Sequence, residues 1–198
     1  MNKKENSGYV KTHQNIQKSL LALLGQKDLK KITVSDVCVL ASINRSTFYA
    51  HFQDLYAVME AIGQELEGKL TATYANVYLP NDNFMSTDYL SIIIEHIQEN
   101  KTFYHALFSD SNSTILANNM KLLQSEIVAP FYQKLNVPER QGAYYFTFFR
   151  TGFVAILGKW LDDGCPESPR ELAKIIFSCL PALTPEITTK FLGRDANA

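Results

Sequence analysis

The chain is poor in the residues that build turn-rich or cross-linked folds. Its 198 residues include 9 glycines, 7 prolines and 3 cysteines. So few glycines and prolines argue against an all-β chain with many tight turns and favour a largely helical protein. The cysteines are odd in number, and their spacing fits neither a zinc site nor a disulfide framework. We therefore expect Cys38, Cys165 and Cys179 to be buried apolar side chains.

Long uncharged apolar runs are also lacking. The most apolar stretch, residues 146–161, contains Arg150 and Lys159. It falls short of the roughly 20 uncharged residues that a membrane span needs. Residues 1–14 are polar and lack the apolar segment of a secretory signal. The sequence therefore predicts no membrane association and a cytoplasmic location.

Neither sign of charge is in large excess, but the two signs are unevenly distributed. The formal net charge is -1. Residues 1–56 hold eight Lys and Arg against four Asp and Glu, a net charge of +4, which leaves -5 for the rest. A basic front end joined to an acidic remainder predicts a polyanion-binding N-terminal module attached to a body with another task.

Helical patterns account for the basic N-terminal part. Apolar periodicity and capping residues predict four helices there, over residues 12–25, 34–41, 45–52 and 54–77. Thr33 and Asp36 form a capping box for the second helix, and Asn44 is the N-cap of the third. Two short helices joined by a tight turn are typical of a helix-turn-helix, whose second helix enters the major groove of DNA.

The rest of the chain is helical in pattern as well. Helices are predicted from residue 86 to about 97, at 101–108, at 114–135 with a break at Pro130, and at 139–163, 169–180 and 184–193. No strand pattern is found. The sequence thus predicts an all-α fold, with a three-helix helix-turn-helix domain over residues 9–56 and a second helical domain over residues 57–198.

The outward face of the predicted third helix carries the side chains that recognise nucleic acid. Arg45 can donate a bidentate pair to guanine O6 and N7, and Ser46 and Thr47 can bond base edges or phosphates. Tyr49 and His51 can reach phosphate oxygens. Periodicity by itself leaves a second interpretation open, an ordinary three-helix corner with a solvated face.

Residues 32–52 closely resemble the N-terminal domain of the TetR/AcrR family of transcription regulators. The shared features are a Thr-initiated second helix, a short turn, and a recognition helix with Thr-Phe-Tyr-x-His-Phe, here residues 47–52. The resemblance implies eight candidate DNA-binding residues: Thr33, Ser35, Asn44, Arg45, Ser46, Thr47, Tyr49 and His51.

Two positions depart from the family pattern. Ser42 stands where a turn glycine is usual, which is tolerable if its φ is not strongly positive. Leu55 stands where the family usually has a Lys at the start of the fourth helix. One phosphate contact expected from the family is therefore missing.

The C-terminal half is similar to a Firmicutes-type group of the same family that includes regulators of dihydroxyacetone kinase operons. The similarity lies in residues 100–104 and 144–169. It implies that the last two long helices form a four-helix dimer interface and that the central helices hold a small-molecule effector. Six residues are candidates for lining that pocket: Tyr89, His96, Phe103, Tyr104, Tyr145 and Phe149. The alternative is that these aromatic side chains belong to the core.

Sequence signatures of catalysis are missing. The chain has no His-Glu-x-x-His, P-loop, Gly-x-Ser-x-Gly or paired-glycine motif, so we expect neither an enzyme nor a metal site nor a cofactor. The favoured function is a homodimeric, sequence-specific regulator, most often a repressor in this family, that binds double-stranded DNA at a palindromic operator through residues 44–52. The alternative, which Leu55 keeps open, is a coregulator that acts mainly through protein contacts.

Overall fold

A computed structural model describes residues 3–77, 87–110, 114–125, 129–134 and 136–179. Within these ranges the chain forms helices and no strand, so the predicted all-α fold is confirmed. The helices, in chain order, are α1 (Lys3–Leu24), α2 (Val34–Ala41), α3 (Arg45–His51), α4 (Leu55–Val77), α5 (Thr87–Glu99), α6 (Lys101–Ser109), α7 (Thr114–Leu123), α8 (Ala129–Lys134), α9 (Glu139–Asp162) and α10 (Pro169–Ser178). No helix in the described ranges is long and apolar enough to cross a membrane.

The chain divides into two compact units. The first comprises residues 1–79 and 102–106, and the second comprises residues 80–101 and 107–198. The first unit contains the helix-turn-helix. The second contains most of α5 to α10.

The core of the first unit is built from one face of each of its first four helices. The fully buried side chains of that core are Ile16 and Leu20 of α1, Val37 of α2, Phe48 of α3, and Val58 and Met59 of α4. Burial of each such side chain contributes about 1.5 to 3 kcal/mol. Asn15 adds a polar tie, because its side-chain amide donates to the Ala41 carbonyl at the end of α2 at 2.8 Å.

The first helix begins nine residues earlier than predicted, at Lys3 instead of residue 12. Residues 3–11 are mostly polar, so their sequence offers little apolar periodicity. Tyr9 supplies a tertiary reason for the longer helix, since its ring stacks on His51 of α3 at a centroid distance of 4.0 Å. The prediction of the helix start was therefore wrong because a contact distant in sequence supports these turns.

Ser42 does not meet the condition under which the sequence analysis expected a serine to be tolerable at this turn, a φ that is not strongly positive. Its φ is +54° and its ψ is +45°, so it ends α2 in the left-handed conformation. A side chain there costs about 1 to 2 kcal/mol relative to right-handed backbone. The position requires the conformation that glycine adopts freely, and Ser42 adopts it with strain.

The second unit has its own core, in which α5 packs against α10. The buried residues of these two helices are Leu90, Ile94, Ile97, Leu172, Ala173 and Ile176. Trp160 of α9 is also buried, and its indole N–H donates to the Glu167 carbonyl at 3.1 Å. A capping box of Ser168 and Glu171 starts α10, the helix predicted over residues 169–180.

The region predicted as a helix over residues 114–135 contains α7 and α8, and residues 126–128 between them lie outside the described residues. Pro130 lies in the first turn of α8, where a proline is tolerated. α8 packs on α9 at Gly142, where an added Cβ would lie 2.9 Å from Cδ2 of Tyr132. The helix predicted over residues 184–193 lies outside the described residues.

The expectation of three buried cysteines was wrong in part. Cys38 is buried, Cys165 is half-buried and Cys179 is exposed. Cys165 lies in the turn after α9, where it has a φ of +62°, and Cys179 is the residue that ends α10. Both residues sit at helix ends.

Candidate nucleic-acid interface

A three-residue turn joins the two short helices of the first unit. Ser42 reverses the chain in the left-handed conformation, and the Ile43 amide donates to the Cys38 carbonyl at 3.0 Å. Asn44 then returns the backbone to an extended conformation and starts α3. The sequence folds in this way because the capping box of Thr33 and Asp36 starts α2, while the Asn44 side chain starts α3.

α3 has one buried and one exposed face. Phe48 is fully buried, and Phe52, the residue that ends the helix, is nearly so. Arg45, Ser46 and Tyr49 are exposed on the remaining faces. The aromatic pair anchors the helix in the core, so the polar side chains are presented together to a partner.

Three of the predicted DNA-binding residues are already engaged in helix caps. The Asn44 side-chain oxygen accepts hydrogen bonds from the Thr47 amide at 2.7 Å and from the Thr47 hydroxyl at 3.0 Å. The Thr33 hydroxyl accepts from the Asp36 amide at 3.2 Å. Their first task is to hold the two helix starts, and the atoms used in the caps are less available to bases.

Arg45 and Tyr49 face each other on the exposed surface of α3. The Arg45 guanidinium donates to the Tyr49 hydroxyl at 3.5 Å, and this contact raises the pKa of Arg45. A guanidinium has five N–H donors, so four remain for guanine or phosphate. The exposed group is a charged donor with a partner that limits its motion.

Ser35 and His51 complete the predicted set and lie in different environments. Ser35 is exposed on the first turn of α2. His51, the last residue of α3, is half-buried against the rings of Tyr9 and His13. Burial, and then the nearby His13, lower the pKa of His51. The eight predicted residues thus lie on α2, on α3 and at the caps of these two adjacent helices.

The start of α4 lacks the Lys that usually provides a phosphate contact in the family. Leu55, which occupies the position of the usual Lys, is only 9% exposed and belongs to the core. The Asp54 side chain caps α4 by accepting from the Ala57 amide at 2.8 Å. The neighbouring exposed side chain is Tyr56, at 51%. This helix start offers a hydroxyl in place of a cation.

Two residues near α3 were missed by the sequence analysis, Tyr9 and His13 of α1. The Tyr9 ring stacks on His51, and the His13 ring stacks on Phe52 at 4.2 Å. A signal was present, because Tyr9, His13, Ile16 and Leu20 follow one another at helical spacing. Extending that periodicity toward the N-terminus would have placed both rings on the buried face of α1.

The residues predicted to line an effector pocket are divided between the two units. Phe103 and Tyr104 belong to the first, where their rings meet edge to face at 5.2 Å and burial raises the pKa of Tyr104 to about 12. The members in the second unit are Tyr89, His96, Tyr145 and Phe149. Within that unit the Tyr145 ring contacts Tyr132, and the Phe149 ring stacks on Phe153. The pocket stays a prediction.

In the described ranges, no group of three or more His, Cys, Asp or Glu is arranged to hold a metal ion.

Known proteins resemble the chain over most of its length. Residues 86–181 match the family model described as the transcriptional regulator C-terminal region. The HTH-type transcriptional regulator YxbF of Bacillus subtilis is 21% identical over 174 residues, which cover 82% of this chain and 43% of the relative. The chain therefore spans less than half the length of this curated relative.

Two solved structures share the fold. A TetR transcriptional regulator from Streptococcus agalactiae superposes with a TM-score of 0.69 at 22% identity, over 89% of this chain and 97% of that one. The dihydroxyacetone kinase operon activator DhaS superposes with a TM-score of 0.54 at 22% identity, over 86% of this chain and 94% of its own. The second likeness agrees with the group expected from the C-terminal sequence. The C-terminal match, the HTH-type relative and the shared fold agree with the resemblance of residues 32–52 to the TetR family of transcriptional regulators.

Proposed function

We propose that the protein is a homodimer that binds a palindromic operator in double-stranded DNA by placing α3 in the major groove. The observation that carries the proposal is the construction of α3. Phe48 anchors the helix in the core, Asn44 caps its start, and Arg45, Ser46 and Tyr49 are exposed on its remaining surface. Arg45 supplies a charged group with several N–H donors, which can form the bidentate pair of hydrogen bonds that recognises guanine.

The proposed dimer interface is formed by α9 and α10, where apolar side chains lie exposed on the single chain. Phe148 and Tyr144 of α9 are 64% and 62% exposed, and Ile175 of α10 is also exposed. Phe146, by contrast, points into the core. The outward surface of α9 is therefore the one that includes Phe148. Covering a Phe side chain completely contributes about 1.5 to 3 kcal/mol.

Threonines on the same outward surface favour helix packing. The Thr147 hydroxyl donates to the Ala143 carbonyl and the Thr151 hydroxyl to the Thr147 carbonyl, both at 2.8 Å. Their donors are thus satisfied within α9, so a second helix can cover the surface without stranding these groups. Tyr144, Phe148, Thr151 and Ala155 follow one another at helical spacing and form a continuous stripe, the α9 face.

A dimer would also overcome the low sequence specificity of a single recognition helix. One short recognition helix reads too few base pairs to select a site, whereas two related by a two-fold axis read both halves of a palindrome. We also propose that the protein is a cytoplasmic, non-enzymatic regulator and that a small-molecule effector adjusts its DNA binding. We propose repression, because occupying promoter DNA is sufficient for it, whereas activation needs a further contact with polymerase.

Selection from random DNA tests the proposal without knowledge of the operator. Duplexes of about 30 base pairs, or roughly three helical turns, would be selected on the wild-type protein and the recovered sequence titrated by fluorescence anisotropy. We expect a palindromic consensus. Affinity should fall about 10³-fold between roughly 50 and 200 mM salt if about six phosphates are contacted. A salt-independent affinity, or recovery of no consensus, would contradict the proposal.

The sign of regulation is tested separately by a reporter gene whose promoter overlaps the selected site. Expression of the wild-type protein should lower reporter output, while the same promoter with a scrambled site serves as the control. An increase in output that needs the intact site would replace repression with activation and leave DNA binding in place.

A second candidate function is a coregulator that acts mainly through protein contacts, and one observation favours it. The buried Leu55 removes the cation that the family usually places at the start of α4. If the selection yields no duplex and anisotropy detects no binding at low salt, this candidate gains support.

A further inference from the structure

Four aromatic rings join the N-terminal half of α1 to the end of α3. The Tyr9 ring stacks on His51 at 4.0 Å, and the His13 ring stacks on Phe52 at 4.2 Å. The two imidazoles lie 5.7 Å apart, so the rings form one group, the ring cluster of Tyr9, His13, His51 and Phe52. Stacked aromatic pairs at such distances attract beyond the area they bury.

The ring cluster is held by stacking instead of hydrogen bonds on the imidazoles' inner nitrogens. The Nδ1 atoms of His13 and His51 are buried, and neither has a hydrogen-bond partner among the described residues. Burying a polar atom without a hydrogen-bond partner costs free energy. The packing of the rings must therefore supply enough stabilisation to offset that cost. A cluster built in this way depends on the presence and shape of each ring.

The position of the cluster gives it a mechanical role. α3 has seven residues, too few to hold its shape alone. Its start is held by the Asn44 cap and its middle by Phe48, while its end contacts α1 through the cluster. Any loosening of that end would displace Tyr49, and with it the Arg45 guanidinium bonded to the Tyr49 hydroxyl.

We propose that Tyr9 and His13 are positioning residues, which hold the end of α3 in the orientation that DNA recognition requires. This inference rests on the proposed DNA-binding function and extends it to α1. Recognition side chains have to be held within about 0.5 Å of their productive geometry, so a rigid support affects specific sites more than non-specific phosphate contacts.

The test compares ring removal with ring replacement. Tyr9→Ala removes one stacked ring, whereas Tyr9→Phe and His13→Phe keep a ring at each position. Val10→Ala is the matched control, because Val10 is an exposed neighbour in the same turn. Each variant would be titrated with the duplex selected by the wild type and with a scrambled duplex. Hydrogen exchange of residues 48–52 would be measured without DNA.

For Tyr9→Ala we expect an affinity for the selected duplex about tenfold lower, the effect of losing one stacked ring pair. The scrambled duplex should change by less than about twofold, since its phosphate contacts carry no sequence information. Exchange at the end of α3 should accelerate. Tyr9→Phe, His13→Phe and Val10→Ala should stay within about twofold of the wild type.

Two outcomes would overturn the inference. An equal loss on both duplexes, together with a lower melting temperature, would mean that Tyr9 only supports the fold. Unchanged exchange at residues 48–52 in Tyr9→Ala would mean that the rings do not hold α3. If the wild type selects no duplex, the proposed function fails first, and the exchange result alone then decides whether the rings hold the helix.

Discussion

At the residue scale, the proposed guanine contact assigns most of the sequence discrimination to Arg45. It occupies the first position of α3 and is exposed. Arg45→Ala should cost about 1 to 3 kcal/mol on the selected duplex and relax the preference at one base position in each half-site. Titrations against single-base variants of the duplex measure both effects.

Lys69→Ala is the control for Arg45, since it also removes one exposed positive charge. Lys69 lies 14 residues beyond the start of α4, or about 21 Å along the helix. Its loss should leave base preference unchanged. Equal weakening of the selected and scrambled duplexes by Arg45→Ala would exclude a base-reading role.

Tyr49 provides a second residue-scale prediction, because its hydroxyl accepts a hydrogen bond from Arg45. Residues in contact are energetically coupled, by about 0.5 to 3 kcal/mol in many proteins. A double-mutant cycle of Arg45→Ala and Tyr49→Phe on the selected duplex should show coupling at the low end of that range. Additive losses would indicate that Tyr49 acts on phosphate alone.

Ser42 stores strain that one substitution should release. Its φ of +54° suits glycine, so Ser42→Gly should raise the free energy of unfolding by about 0.5 to 1 kcal/mol, after the entropy cost of glycine is subtracted. Urea denaturation measures the change. Ser35→Gly, at an exposed helical position, should do the opposite. A lower stability for Ser42→Gly would show that the serine side chain outweighs the strain.

At the element scale, the contact of α1 with α3 should make stability sensitive to pH. The titratable groups in contact with the His51 ring are Tyr9 and His13 of α1. Burial and His13 hold the pKa of His51 below its ordinary value of 6.5. The packed state therefore resists protonation, and its stabilisation is complete above pH 6.5 and declines as the pH falls below it.

The melting temperature should accordingly fall between about pH 7 and pH 5, through the loss of the neutral imidazole that the cluster favours. His51→Phe keeps a ring without the titrating group, and its melting temperature should fall less over the same interval. NMR titration of His51 measures its pKa directly. An unchanged pH response in His51→Phe would place the effect on another histidine.

At the scale of the whole molecule, the proposed dimer predicts that the α9 face is needed for binding two half-sites together. Phe148→Glu puts a charge in the middle of the proposed interface, where burial without a partner is costly. The variant should be a helical monomer with little affinity for the selected duplex, since both half-sites must be bound together. Light scattering gives the oligomeric state, and circular dichroism gives the helicity.

Val39→Glu is the matched control for Phe148→Glu. Val39 is an apolar residue of α2 that is 81% exposed, so the same charge there should leave the oligomeric state unchanged. A wild type that is monomeric at micromolar concentration, or a Phe148→Glu variant that stays dimeric, would move the interface elsewhere.

The features determined by the sequence alone are those whose causes lie within one helical turn. Asn44 and Ser168 accept hydrogen bonds from amides three residues ahead, so the starts of α3 and α10 could be predicted from adjacent letters. Buried faces followed from periodicity, as for Phe48 and Phe52. The exposed candidates for DNA recognition were then the residues on the faces of α3 that Phe48 and Phe52 do not occupy.

The tertiary structure decided whatever depends on contacts between distant parts of the chain. α1 extends to Lys3, and its Tyr9 meets a ring 42 residues away, a contact that no local pattern encodes. Phe146 and Phe148 are equally apolar, yet packing against neighbouring helices buries only the first. Ser42 adopts a left-handed backbone because α2 and α3 must reverse direction there, despite the serine. Helix capping and apolar periodicity depend on residues that are close in sequence. Side-chain burial and backbone strain depend on how whole helices pack against one another.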